Sequence, residues 1–154
     1  MSIFILLSVP VLSAAQERAE YLLGNLKLST SHRTAKEKTV IIPPEVSRRW
    51  KAVKLVVLDK TRGTENIYVI PIGSRVIIPA SALTVTVEAF LPAFTMEGRT
   101  ITTSSNELIN PSAKISASEN GSPVFQGWLF AKFPNRQAVS HPKFGIGLIG
   151  AVPR

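Results

Sequence analysis

Beyond residue 40 the chain alternates apolar and polar residues with a period of two, and Gly, Pro, Asn and Asp cut the alternation at short intervals. Residues 82–91 carry the cleanest case. Leu83, Val85, Val87 and Ala89 fall on one face, and Thr84, Thr86, Glu88 and Phe90 on the other. Residues 50–58 (WKAVKLVVL) set Trp50, Ala52 and Lys54 against Lys51, Val53 and Leu55, then become continuously apolar, as in a strand covered on both faces at one end. A charged turn at Asp59 to Gly63 and a strand over residues 65–72 complete a hairpin, with Asp59 expected to accept hydrogen bonds from turn N–H groups. Residues 75–79 form a short strand that turns at Pro79-Ala80-Ser81 into the long one. Residues 99–103 read as a hairpin arm, 104–111 as an irregular loop, and Pro43-Pro44 as an extended segment that excludes a helix. Asn120-Gly121 joins strands at 113–118 and 123–132, and a glycine-lined strand runs over 144–152. The pattern predicts an all-β fold, a small antiparallel β-barrel or sandwich, as one domain over residues 40–154.

Upstream the pattern changes. Residues 3–12 are an apolar run too short to span a bilayer, and Ser13, Ala14, Ala15 and Gln16 supply small residues at a signal-peptidase site, although no positive residue precedes the run. Residues 1–15 are therefore read as a signal-like segment and the protein as exported. If the segment is retained, it is an anchor that associates the protein with a membrane. Residues 16–39 read as a short helix followed by a polar, basic linker containing His32, which makes a flexible N-terminal extension.

Composition adds exclusions. At 154 residues, with 45% apolar residues, the chain supports one core of ordinary size. The absence of cysteine removes disulfide scaffolds, thiol nucleophiles and cysteine-ligated metals. His32 and His141 are the only imidazoles and Asp59 the only aspartate, so neither a metal site nor a cofactor is expected. The net charge of +8 is concentrated early: residues 1–62 hold 11 Lys and Arg against 5 acidic residues, and residues 63–154 hold 7 against 5. Arg48, Arg49, Lys51 and Lys54 make a basic surface that permits an acidic protein, cell-wall glycan or an anionic membrane surface as partner. Nucleic acid is disfavoured, because the basic residues are not interleaved with aromatics on one sheet face.

Candidate binding residues are Trp128, His141, Phe94, Met96 and Tyr68. Trp128 beside Gly127 either anchors the core or stacks on a ligand ring. His141-Pro142 reads as a rigid loop corner whose imidazole bonds a backbone carbonyl, and Phe94 and Met96 as core filler, a lid over an open barrel end, or pocket lining. Gly145-x-Gly147-x-x-Gly150 has dinucleotide-loop spacing, but no helix follows to carry a phosphate. With no triad, metal motif or glycine-framed nucleophile, the protein is not expected to be an enzyme.

The segments Trp50 to Gly63 and Val124 to Ala131, the latter with Gly127-Trp128 and with His141-Pro142 behind it, resemble a bacterial family designated domain of unknown function 2155. The resemblance covers about residues 43–149 and implies an exported, Gram-negative envelope protein, periplasmic, with a small β domain and no assigned reaction. The function expected is a non-catalytic envelope module that binds a protein partner or serves as accessory subunit of an envelope complex. The alternative is a glycan or cell-wall binder, which requires Trp128, Phe94 or Tyr68 exposed in one shallow groove.

Overall fold

The computed structural model describes residues 36–154, so the signal-like segment, the short helix, most of the linker and His32 lie outside the described residues. A compact unit spans Lys38–Arg154. Its elements are β1 (Thr39–Val40), α1 (Pro44–Arg49), β2 (Trp50–Asp59), β3 (Thr64–Pro71), β4 (Arg75–Ile77), β5 (Leu83–Leu91), β6 (Phe94–Glu97), β7 (Thr100–Thr103), β8 (Ser112–Glu119), β9 (Ser122–Phe130) and β10 (Phe144–Pro153).

Strands β10-β2-β3 form one antiparallel sheet and β4-β5-β8-β9 a second. Neither closes on itself, so the all-β architecture is a sandwich and not a barrel. Between the sheets lie Val53, Leu55 and Val57 of β2, Ile70 of β3 and Phe144, Ile146 and Leu148 of β10. Leu83, Val85 and Val87 of β5, Ala113, Ile115 and Ala117 of β8 and Leu129 of β9 face them. Each fully buried aliphatic side chain contributes about 1.5–3 kcal/mol by leaving water.

The hairpins follow from turn chemistry. The Asp59 carboxylate accepts from the N–H groups of Thr61 and Arg62, and Gly63 takes the left-handed conformation that closes the β2–β3 turn. Asn120 and Gly121 both have positive φ, the geometry of a two-residue hairpin, with Glu119 opposite Ser122.

Three expectations need correction. Pro43-Pro44 does not exclude a helix: Pro44 opens α1 at a position whose N–H has no intrahelical partner, Glu45 lies in the first turn, and Arg48 and Arg49 in the last. In β2 the phase changes at Lys51, which has no partner on β10, so Trp50 and Val53 both join the main core, while Ala52, also buried, lies outside that cluster. In β5 the face assignment of Ala89 and Phe90 is reversed. Val87 pairs with Ile115 and Ala89 with Lys114, so Glu88 is an extra residue; beyond this bulge Phe90 turns into the main core, while Ala89 and Leu91 face the opposite side.

That opposite side is covered by a third, smaller sheet, β1-β7-β6, in which β1 and β7 run parallel. Ile101 of this sheet joins Ala89, Leu91, Trp128 and Phe130 in a second cluster, with Val40 and Phe94 packed against it.

Candidate functional site

The outward positions of the two main sheets differ in chemistry. On the four-stranded sheet, cross-strand rows run Arg75, Thr86, Ser116, Gln126 and Ile77, Thr84, Ser118, Pro123. The Lys114 ammonium lies 3.0 Å from the Glu88 carboxylate beside them. Burial alone pushes the Glu88 carboxyl up; hydrogen bonds from Lys114, Ser116 and Gln126, with the Lys114 charge, outweigh it and hold the group below its ordinary value. Apart from Ile77 on the edge strand, 66% exposed, and Pro123, this face is hydroxylated and charged, as a sheet face in water should be.

The three-stranded sheet is the reverse. Opposite each other on its outward face stand Gly147, Val56 and Ile67 in one row, Gly145, Leu58 and Glu65 in the next, and Gly150, Lys54 and Val69 in a third. Ile67 is 63% and Val69 56% exposed, and Ile149, at a bulge in β10, is 48% exposed. The face is a ridge on β3 beside a lane of glycines on β10. The lane is shallow because Val56, Leu58 and Lys54 lean across it: a Cβ on Gly147 would stand 3.2 Å from Val56 Cγ1, one on Gly145 3.6 Å from Leu58 Cβ, and one on Gly150 4.0 Å from Lys54 Cδ. The Lys60 side chain also reaches over Gly145, and its ammonium donates to the His141 carbonyl.

One end of the sandwich carries two adjoining hollows, of about 240 and 360 Å³, that share Asp59, Arg62, Ala80, Ser81 and Phe144. Tyr68 and Asn66 line the first, Glu119 and Lys143 the second. Beneath them His141 is buried. Its Nδ1 accepts from the N–H groups of Lys143 and Phe144 at 3.0 and 3.1 Å, which assigns the proton to Nε2, and Nε2 donates to the Glu119 carboxylate at 2.8 Å. Both ring nitrogens are thereby spent on structure. The imidazole accepts amides, where a bond to a carbonyl was expected.

The structure brings Phe94 and Trp128 together, and not as a ligand platform. Phe94 stands edge-on to Trp128 at 5.2 Å and to Phe130 at 5.0 Å, and Trp128 is 7% exposed. Met96, on the same strand as Phe94, faces solvent. Tyr68 lies on the other main sheet. The basic residues separate as well: Arg48 and Arg49 end α1, while Lys51 and Lys54 project from β2. Arg49 bonds the Glu107 carboxylate at 2.6 Å and lies over the Trp50 ring. That hydrogen bond holds Glu107 below and Arg49 above their ordinary values.

Among the described residues no group of three or more His, Cys, Asp or Glu side chains is placed to hold a metal ion, and no helix is long and apolar enough to cross a membrane. The sequence profile of a family described as an uncharacterized protein conserved in bacteria (DUF2155) matches residues 53–150. The chain belongs to the DUF2155 family. No curated protein and no solved structure matches it. The DUF2155 match starts inside β2 and ends inside β10, so it contains both outward faces and the end hollows.

Several DUF2155 residues that shape these surfaces escape a reading of the sequence. Ile67 and Val69 lie in a continuous apolar run, residues 67–72, that does not mark which phase faces out, and Ile149 shares a face with the glycines of its strand. Gln137 sits in a polar loop, yet its Oε1 accepts the Trp128 N–H at 2.8 Å, in space that exists because residue 127 has no Cβ. The glycine beside the tryptophan was the available signal.

Proposed function

We propose that the protein is a non-catalytic interaction module of the bacterial cell envelope, which docks a protein partner on the outward face of the β10-β2-β3 sheet. One observation carries this reading. Of two sheets in one small domain, one turns Thr, Ser, Gln, Glu and Lys outward with Ile77 as a lone apolar residue on its edge strand, while the other turns out Ile67, Val69 and Ile149 beside a glycine lane. An apolar sheet face left in water is a cost that association removes. The occupied nitrogens of His141 and the burial of Trp128 support binding without catalysis and give no aromatic platform for a glycan. The apolar run at residues 3–12 supports export to the envelope.

Photo-cross-linking in the native cell tests the proposal. A benzophenone side chain at Val69 should give a discrete protein adduct, and the same group at Thr86 on the polar sheet should give none. Equal labelling from both positions, or no adduct from Val69, would overturn it. Intact mass of the recovered chain shows whether residues 1–15 are retained.

A further inference from the structure

Strand β3 is an open sheet edge, and we infer that the domain captures its partner by strand addition: an extended segment of the partner protein pairs with β3 and widens the three-stranded sheet on that side. The inference rests on the reading that the outward face of this sheet docks protein, and it supplies the backbone chemistry that holds the partner there.

Which backbone groups of β3 are free follows from its ladder with β2. The Ile72 N–H donates to the Lys51 carbonyl at 3.0 Å, and the two residues stand opposite each other in the β2–β3 register. Antiparallel partners alternate between pairs that exchange hydrogen bonds and pairs that do not. Counting back from Ile72, the N–H and C=O groups of Ile70, Tyr68, Asn66 and Thr64 turn to β2, and those of Val69, Ile67 and Glu65 turn away from it. No strand among the described residues pairs with that side of β3. Asn66 and Tyr68, which share the inward phase with Val57 and Leu55, are exposed and half-buried, so water reaches this margin from both faces.

The other free edges are guarded by devices that discourage pairing. Strands β1, β4 and β6 are two, three and four residues long. In β9, Pro123 lies within the strand and Gln137 Oε1 takes the Trp128 N–H at 2.8 Å. Strand β10 is broken by register shifts after Leu148 and Val152. By contrast β3 has eight residues in unbroken register, with no lysine and with its one proline at the end. An edge that long and regular in water is a template for another strand.

The pleat then specifies the segment. Residues set opposite Val69 and Ile67 turn their side chains outward beside two exposed aliphatic groups, so apolar side chains fit there. The residue between them, opposite Tyr68, turns inward over the hollow of about 240 Å³ that Tyr68, Ile78, Pro79 and Phe144 line. That hollow has room for one large side chain. The partner segment is therefore extended and apolar at successive positions, with the bulkiest side chain at the inward one. Its main chain supplies affinity and its alternate side chains supply specificity.

A display library of short linear peptides, selected against the purified full chain, supplies the probe, and amide exchange of the full chain reads the result. Without peptide, the Glu65, Ile67 and Val69 amides should exchange fast and those of Asn66, Tyr68 and Ile70 slowly; with the selected peptide the first three should slow at least about tenfold. Ile67→Pro should weaken the peptide at least about tenfold, because it removes an edge donor while the β2–β3 ladder keeps its bonds. The exchange pattern of the parent chain needs no variant, so a misfolded Ile67→Pro leaves the test intact. Edge amides that stay fast with peptide bound, or a library that yields no binder, overturn the inference. If Val69 nevertheless gives its discrete adduct in the cell, the docking face stands and strand addition alone has failed. Slowed edge amides without a Val69 adduct support strand addition and sink the outward face as the docking surface. Edge amides that slow as the chain alone is concentrated would put a second copy on β3 and overturn the partner segment as its occupant.

Discussion

His141 fixes its own tautomer by holding two amides. Replacing it with Ala leaves the N–H groups of Lys143 and Phe144 without an acceptor and Glu119 without a donor, which should cost about 1–3 kcal/mol in chemical unfolding. Gly127 and Gln137 depend on each other in the same way. Gly127→Ala would put a Cβ 2.9 Å from Gln137 Oε1 and displace it from the Trp128 amide, so Gly127→Ala and Gln137→Ala should each cost about 1 kcal/mol and the double variant little more than either. Glu88 gives a pH signature. Its carboxyl is held below its ordinary 4.5, so its contribution is complete above that value and lost as pH falls through the folded one. Glu88→Gln should be less stable than the parent at pH 7 by about 0.5–1 kcal/mol, a figure reduced for its partial exposure, with the two stability curves converging toward acid. Residue-scale readings from the sequence succeeded where partners are local, as at Asp59, which accepts from backbone N–H groups two and three residues on. They missed pairs such as His141 with Glu119, 22 residues apart, because nothing in the composition of one loop names its contact on another.

Strands and their hairpins were legible because period-two alternation and turn residues are local signals. Their facing was legible only up to the first bulge. Leu83, Val85 and Val87 behave as the alternation requires, and one uncounted residue, Glu88, inverts everything after it. Deleting Glu88 should make Val87–Ile115 and Ala89–Lys114 successive pairs and so leave Phe90 in the main core and Ala89 and Leu91 on the opposite side. The expected loss in chemical unfolding is about 1 kcal/mol, from the lost contact with Lys114, with tryptophan emission nearly unchanged. The helix α1 was missed for a different reason. Pro43-Pro44 was weighed as a helix breaker, whereas proline in the first turn, acid after it and arginines at the end form a start-to-stop pattern compressed into six residues.

At the scale of the molecule, two antiparallel sheets of similar build present opposite surfaces to water, and the difference lies in outward side chains that the strand pattern alone does not distinguish from core. Residues 65–72 (ENIYVIPI) put Ile67 and Val69 outward and Ile70 inward. Continuous apolar runs hide which phase faces out until a facing sheet is known. The N-terminal attachment of the folded unit has a mechanical consequence. Residues 39–41 are held to β7 by the Thr39 N–H on Arg99, the Ile41 N–H on Ile101 and the Thr102 hydroxyl on the Ile41 carbonyl. A load applied to the chain ahead of Thr39 falls on these bonds and the rest of the β1–β7 pairing before it reaches the sandwich. They act as a fuse, and when it gives, Val40 leaves the packing around Trp128 first, so that tension is converted into a local change of fluorescence while the main sheets remain folded.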